Sequence, residues 1–151
     1  MKSRNILLIE DNPDDEALTL RALRRNKILN KVTVAHDGAE ALELLFTEGS
    51  DVPPPGLILL DLKLPKIDGL EVLRRLRADE RTQFIPVVVL TSSKLDEDII
   101  ASYRNGANGY VRKPVKFAEF AEAVSTLGMF WLLLNEAAPE FVHHQMEGRH
   151  P

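Results

Sequence analysis

Apolar residues along this chain fall into short solid runs, separated by stretches in which they recur every three or four positions. The runs are Ile6-Leu7-Leu8-Ile9, Val32-Thr33-Val34-Ala35, Leu57-Ile58-Leu59-Leu60, Ile85 to Leu90 and Gly109-Tyr110-Val111-Arg112. Leu57 to Leu60, four large apolar residues without alternation, read as a central parallel strand buried on both faces, and the other stretches read as further short strands. The intervening stretches carry helical spacing. Leu18, Leu20, Ala22 and Leu23 lie in a helix that opens at Asn12-Pro13 and ends near Asn26. Asp37-Gly38 makes a turn into a helix over Ala39 to Phe46, and Asp68-Gly69 precedes a third whose buried side is Leu70, Val72, Leu73 and Leu76. A weaker helix spans Leu95 to Asn105 with Gly106 as its C-terminal cap, and a long one runs from near Lys116 to Glu136. Strand and helix thus alternate five times, which predicts an α/β three-layer sandwich with a parallel sheet and helices on both faces. Arg74, Arg75 and Arg77 read as the solvated face of the third helix.

Composition narrows the class. A chain of 151 residues with 44% hydrophobic and 28% charged residues is expected to form one globular domain. Its 19 Lys and Arg against 23 Asp and Glu leave a net charge of −4, which argues against a nucleic-acid partner. Without cysteine there is no disulfide, thiolate nucleophile or cysteine-based zinc site. Ile6 to Ile9 is too short for a signal-peptide core, and no apolar run approaches the roughly 18 residues of a membrane helix, so a cytoplasmic protein without membrane contact is expected. Residues 1–136 are expected to form the domain, including a long last helix. Residues 137–151, with His143, His144 and His150, are expected to be a solvated tail, too short for a DNA-binding output module.

The chemistry is concentrated where the apolar runs stop. They end in Glu10-Asp11, Asp61, Thr91 and Lys113. In an open parallel sheet, ligands bind beyond the carboxyl ends of the strands, so Asp61 is expected to present its carboxylate at a site rather than bury it. Three carboxylates gathered there repel one another unless a cation joins them, and Mg²⁺ favours carboxylate oxygens, water and phosphate. Lys113 supplies a point charge for a phosphoryl oxygen and Thr91 a hydroxyl. The set fits phosphoryl transfer, with Asp61 as the nucleophile that forms an aspartyl phosphate. Each residue alone is weak; their joint occurrence at successive strand ends is specific.

These stretches, together with Leu59-Leu60-Asp61-Leu62-Lys63-Leu64-Pro65, Val88-Val89-Leu90-Thr91-Ser92 and Gly106 to Pro114, resemble the receiver domain of two-component response regulators from about Asn5 to Gly128. The resemblance implies a flavodoxin-like fold, a five-stranded parallel sheet of order 2-1-3-4-5 with five helices. It implies that Asp61 accepts phosphate from a histidine kinase, and that the domain assists its own phosphotransfer and slow dephosphorylation without being an enzyme in the ordinary sense. Mg²⁺ or Mn²⁺ would be held by Glu10, Asp11, Asp61 and the Lys63 backbone carbonyl. Thr91 and Tyr110 would be a switch pair, and the peptide before Pro114 would be cis. The Pro-rich loop before Gly56, the Asp79 to Pro86 stretch and Phe130-Trp131 are similar to single-domain regulators that partner cyanobacterial phytochromes.

On the last helix, Ala123, Phe130 and Leu133 fall off the seam expected to face the sheet, which predicts a second apolar face. With Ile99, Ile100 and Tyr103 it is expected to form a homodimer. Signalling would pass by protein contact or to a downstream phosphotransfer protein. Three other readings compete. A phosphatase of the haloacid dehalogenase type needs an acid two residues after the nucleophile, where this chain has Lys63. A flavin-binding module needs a phosphate cradle where it has Glu10-Asp11. A pseudo-receiver that only scaffolds would not need the intact acidic set. Lys63 is also placed to alter hydrolysis of the phosphoryl group in either direction.

Overall fold

A computed structural model describes residues 5–25, 30–47, 54–92 and 95–113. The element order is β1 (Ile6–Ile9), α1 (Pro13–Arg25), β2 (Val32–Ala35), α2 (Gly38–Phe46), β3 (Leu57–Leu60), α3 (Gly69–Ala78), β4 (Val87–Thr91), α4 (Asp96–Arg104) and β5 (Gly109–Arg112). The five strands form one sheet of order β2-β1-β3-β4-β5, every pairing parallel. Four helices lie among the described residues; the expected fifth, the bond before Pro114, and Ala123, Phe130 and Leu133 lie outside them.

The solid apolar runs are explained by two cores, one on each face of the sheet. Ile6, Leu8, Leu57, Leu59, Val88 and Leu90 pack with Ala22 and Leu23 of α1. The alternate strand residues, Leu7, Ile9, Ile58, Leu60 and Val87, pack with α2 and α3 through Ala41, Leu42, Val72, Leu73 and Leu76. Successive side chains of a strand point to opposite faces, so a strand covered on both sides has no position left for a polar residue.

The helix starts are set by short-range acceptors. Asn12 Oδ1 accepts from the Asp14 and Asp15 N–H groups at 2.9 and 3.1 Å, and Pro13 stands at the first helical position. Asp37 and Asp68 each accept from the N–H three residues on, Glu40 at 2.7 Å and Glu71 at 2.9 Å. Asp37-Gly38 is therefore a cap and first helical residue rather than a separate turn. α4 ends in a Schellman turn: Gly106, at φ +96°, donates to Tyr103 O at 3.1 Å and Ala107 donates to Ser102 O at 3.0 Å.

Arg77 corrects the expectation of a solvated arginine face. Arg74 and Arg75 are exposed and pair with Glu71 one turn away. Arg77 instead turns inward. Its Nε and Nη2 donate to Gly106 O at 2.9 and 2.7 Å, and Nη1 donates to Gln83 O at 2.9 Å and Ile85 O at 2.8 Å. Nη2 also reaches Asn108 Oδ1 at 2.9 Å, whose residue caps the start of β4 through the Val87 N–H. One planar fork thus ties α3 to the loops that lead into β4 and β5. Arg77→Met, which keeps the stem and removes the donors, should lower unfolding stability by about 2 kcal/mol in urea titration. A midpoint equal to that of the parent protein would show that these bonds contribute nothing net.

Candidate functional site

The ladder hydrogen bonds continue past the strand ends and set the site residues side by side. Ile9 is in register with Leu60. Beyond that pair the Asp61 N–H donates to Ile9 O at 3.0 Å, and the Glu10 N–H donates to Ala35 O at 2.9 Å. On the other flank the Lys113 N–H donates to Thr91 O at 2.8 Å, one step past the Thr91–Arg112 pair. Glu10, Asp61, Thr91 and Lys113 are therefore carried on rigid sheet. β1 lies between β2 and β3, so the chain leaves its carboxyl end one way toward β2 while β3 leads away on the other side. This is the topological switch point at which open α/β sheets bind ligands.

Lys113 is the hub. Its Nζ donates to Glu10 Oε1 at 2.6 Å, Asp15 Oδ2 at 2.8 Å and Asp61 Oδ2 at 3.1 Å. Its side chain is 9% exposed. Burial works against the charge, but the hydrogen bonds that the ammonium donates to Asp15 and Glu10 and the Asp61 and Glu10 charges outweigh it and hold the ammonium above its usual range. Glu10 is the counterpart. Burial pushes its carboxyl from 4.5 up to about 7 against the pull of the Lys113 hydrogen bond, with the Asp61 charge adding to the rise. Its second oxygen accepts from the Asn12 N–H at 3.2 Å.

Asp61 is 7% exposed, so the expectation of an openly presented carboxylate is corrected. Its Oδ1 accepts from the Lys63 N–H at 3.1 Å while Oδ2 meets Lys113. The α3 cap closes over its backbone, since a Cβ on Gly69 would stand 2.4 Å from Asp61 O. That explains the glycine after Asp68. Gly69→Ala should displace the Asp61 loop and lower stability by about 2 kcal/mol, read as a shift of the thermal midpoint. An unchanged midpoint would mean the loop yields without cost.

Glu10, Asp11 and Asp61 each offer a carboxylate oxygen, and these oxygens lie within 4.8 Å of one another. Glu10 and Asp61 are buried and Asp11 is exposed, so the trio has a solvent side. A hard divalent ion that keeps water ligands fits such a donor set. Thr91 is buried at the end of β4, and Tyr110 is half-buried on β5 opposite Val89. Lys63 is exposed beside Asp61. Among the dimer-face residues, Ile99 is half-buried on α4, and Ile100 and Tyr103 are exposed.

Residues 6–125 match the response regulator receiver domain family. The chain belongs to that family. The receiver is 40% identical over 133 residues to the probable methanogenesis regulatory protein FilR2 of Methanothrix harundinacea, covering 87% of this chain and 86% of that protein. It is 39% identical to the response regulator Rcp1 of Synechocystis, over 84% of this chain and 88% of that protein. Among solved structures it resembles the phosphorylated cyanobacterial phytochrome response regulator RcpA, with a TM-score of 0.85 and 37% identity over 91% of this chain and 99% of that one. A Mn²⁺-bound form of Rcp1 is similar, with a TM-score of 0.83 and 36% identity over 90% of this chain and 99% of that one.

Asp15 escaped the sequence reading of the receiver. It was legible only as an acid in the first turn of a helix, where the macrodipole explains it. Its place on the turn directly after the acidic strand end was the available signal.

Proposed function

We propose that this receiver accepts a phosphoryl group on Asp61 from a histidine kinase of a two-component system, and that the kinase is of the phytochrome type. The observation that carries the reading is the Lys113 ammonium on Asp61 Oδ2 at 3.1 Å, beside a carboxylate trio suited to a divalent ion. The likeness to RcpA and Rcp1 supports the choice of kinase. Mg²⁺ or Mn²⁺ would be held by Glu10, Asp11, Asp61 and the Lys63 backbone carbonyl. When bound, the ion supplies positive charge beside the phosphoryl oxygens.

A carboxylate oxygen of Asp61 attacks phosphorus, forming the O–P bond of a mixed anhydride. The P–N bond of the phosphohistidine breaks, its electron pair stays on the imidazole nitrogen, and that nitrogen takes a proton from solvent. Lys113 faces the negative charge that develops on the phosphoryl oxygens. Thr91 and Tyr110 act as the switch pair that responds to it. Signalling then passes by protein contact, through a homodimer that uses the α4 face with Ile100 and Tyr103, or to a downstream phosphotransfer protein.

The test is intact mass after incubation with acetyl phosphate and Mg²⁺, with size-exclusion chromatography beside it. One added phosphoryl group, labile to base and absent without the metal, is expected. No adduct on folded protein would overturn the phosphoacceptor reading and leave a scaffolding pseudo-receiver whose exposed Leu95, Ile100 and Tyr103 are the functional surface.

A further inference from the structure

The Lys113 ammonium has three N–H donors, and three carboxylates take them. Two of those carboxylates have other duties. Glu10 and Asp61 also stand in the trio with Asp11 that fits a divalent ion. In the proposed reaction Asp61 becomes a mixed anhydride and loses its carboxylate charge. Asp15 lies outside the trio and is not modified. It is carried on the first turn of α1, where its own N–H is fixed by Asn12 Oδ1 at 3.1 Å. Its side chain is 31% exposed, on the solvent side of the 9%-exposed Lys113.

We infer that Asp15 is a positioning residue. It holds the Lys113 ammonium at the strand end while Asp61 is converted, so that a donor already stands where charge develops on the phosphoryl oxygens. The strength of that hold follows from its chemistry: a charge-assisted bond at 2.8 Å from a short side chain on a stiff helix start. This inference rests on the reading of Asp61 as phosphoacceptor. The competing role for Asp15 is favourable interaction with the α1 dipole, which would affect stability and leave phosphoryl uptake alone.

The two roles separate kinetically. The initial rate of uptake from acetyl phosphate is followed by intact mass across a Mg²⁺ series in the full chain, for the parent protein, Asp15→Ala and Asp15→Asn. Mg²⁺ binding without the phosphodonor is measured by calorimetry, and thermal midpoints are recorded for all three. In Asp15→Ala the maximal rate at saturating Mg²⁺ should fall about tenfold, while Mg²⁺ affinity stays within about twofold. Asp15→Asn keeps an acceptor oxygen without the charge and should recover part of the rate. A maximal rate for Asp15→Ala equal to the parent's overturns the inference, whatever happens to the midpoint. So does a rate loss that saturating Mg²⁺ restores. A parent protein that takes up no phosphoryl group overturns this inference together with the phosphoacceptor reading, whereas parent uptake with an unaffected Asp15→Ala overturns the inference alone.

Discussion

Asp61→Asn is expected to reduce phosphoryl uptake from acetyl phosphate by at least about a hundredfold, because the amide has no anionic oxygen to attack phosphorus. The side-chain volume is unchanged, and the amide oxygen can still accept from the Lys63 N–H, which bonds Asp61 Oδ1 at 3.1 Å. The amide nitrogen then stands where Oδ2 accepted from Lys113 at 3.1 Å, so that bond is lost as well. A folded far-ultraviolet spectrum and an unfolding midpoint beside the mass measurement separate loss of the nucleophile from loss of the fold. An adduct of undiminished yield in the variant would place the phosphoryl group elsewhere and sink the assignment.

Lys113→Ala should have the largest effect on stability, about 3 kcal/mol at pH 8 with a chelator present, read from urea unfolding. Lys113 bonds the nearly inaccessible Glu10 at 2.6 Å, and removing it leaves that carboxylate buried beside Asp61 without its counter-charge. The pH dependence follows from Glu10. Its carboxyl is raised from 4.5 to about 7, burial being the main cause. An acid whose folded-state value is raised binds more protons folded than unfolded, so this group makes the metal-free protein less stable as pH rises from 4.5 to about 7. Without Lys113 the hydrogen bond that opposes the rise is gone, so the variant should lose more over that window and continue losing above it. Its deficit is then small at pH 5 and large at pH 8, and Mg²⁺ should restore part of it by supplying the missing positive charge. Equal stability of the variant and its parent at pH 8 would show that the three-carboxylate cluster needs no counter-charge from Lys113.

Much of this molecule was legible in the chain. β1, β2, β3 and β5 occupy the expected strand stretches residue for residue. β4 begins at Val87 rather than Ile85, since Pro86 has no N–H to donate to a ladder. The chemistry at the strand ends was legible for a related reason. A strand buried on both faces tolerates polar residues only where it leaves the sheet, so Glu10 and Asp61 stand out against β1 and β3, whereas Lys113 follows Arg112 on the half-buried β5 and was legible only from its place among the other strand ends.

What stayed hidden depends on partners distant in sequence. Arg74, Arg75 and Arg77 look alike in the chain, yet Arg77 turns inward because Gly106 O, 29 residues away, is brought beneath it by the packing of α3 and α4. Asp15 looks like an ordinary helix-start acid until β5 brings Lys113, 98 residues on, to within 2.8 Å. Asp61 was expected in the open and is buried, its Oδ2 held at 3.1 Å by Lys113, 52 residues on, which β5 brings to the site. The sequence by itself determined the strands, the helices, their caps and the residue types at the carboxyl edge, since periodicity and capping act within about one turn of chain. Only the tertiary structure decided which carboxylates share Lys113 and which arginine is a tie, because those choices are made by strand order and register.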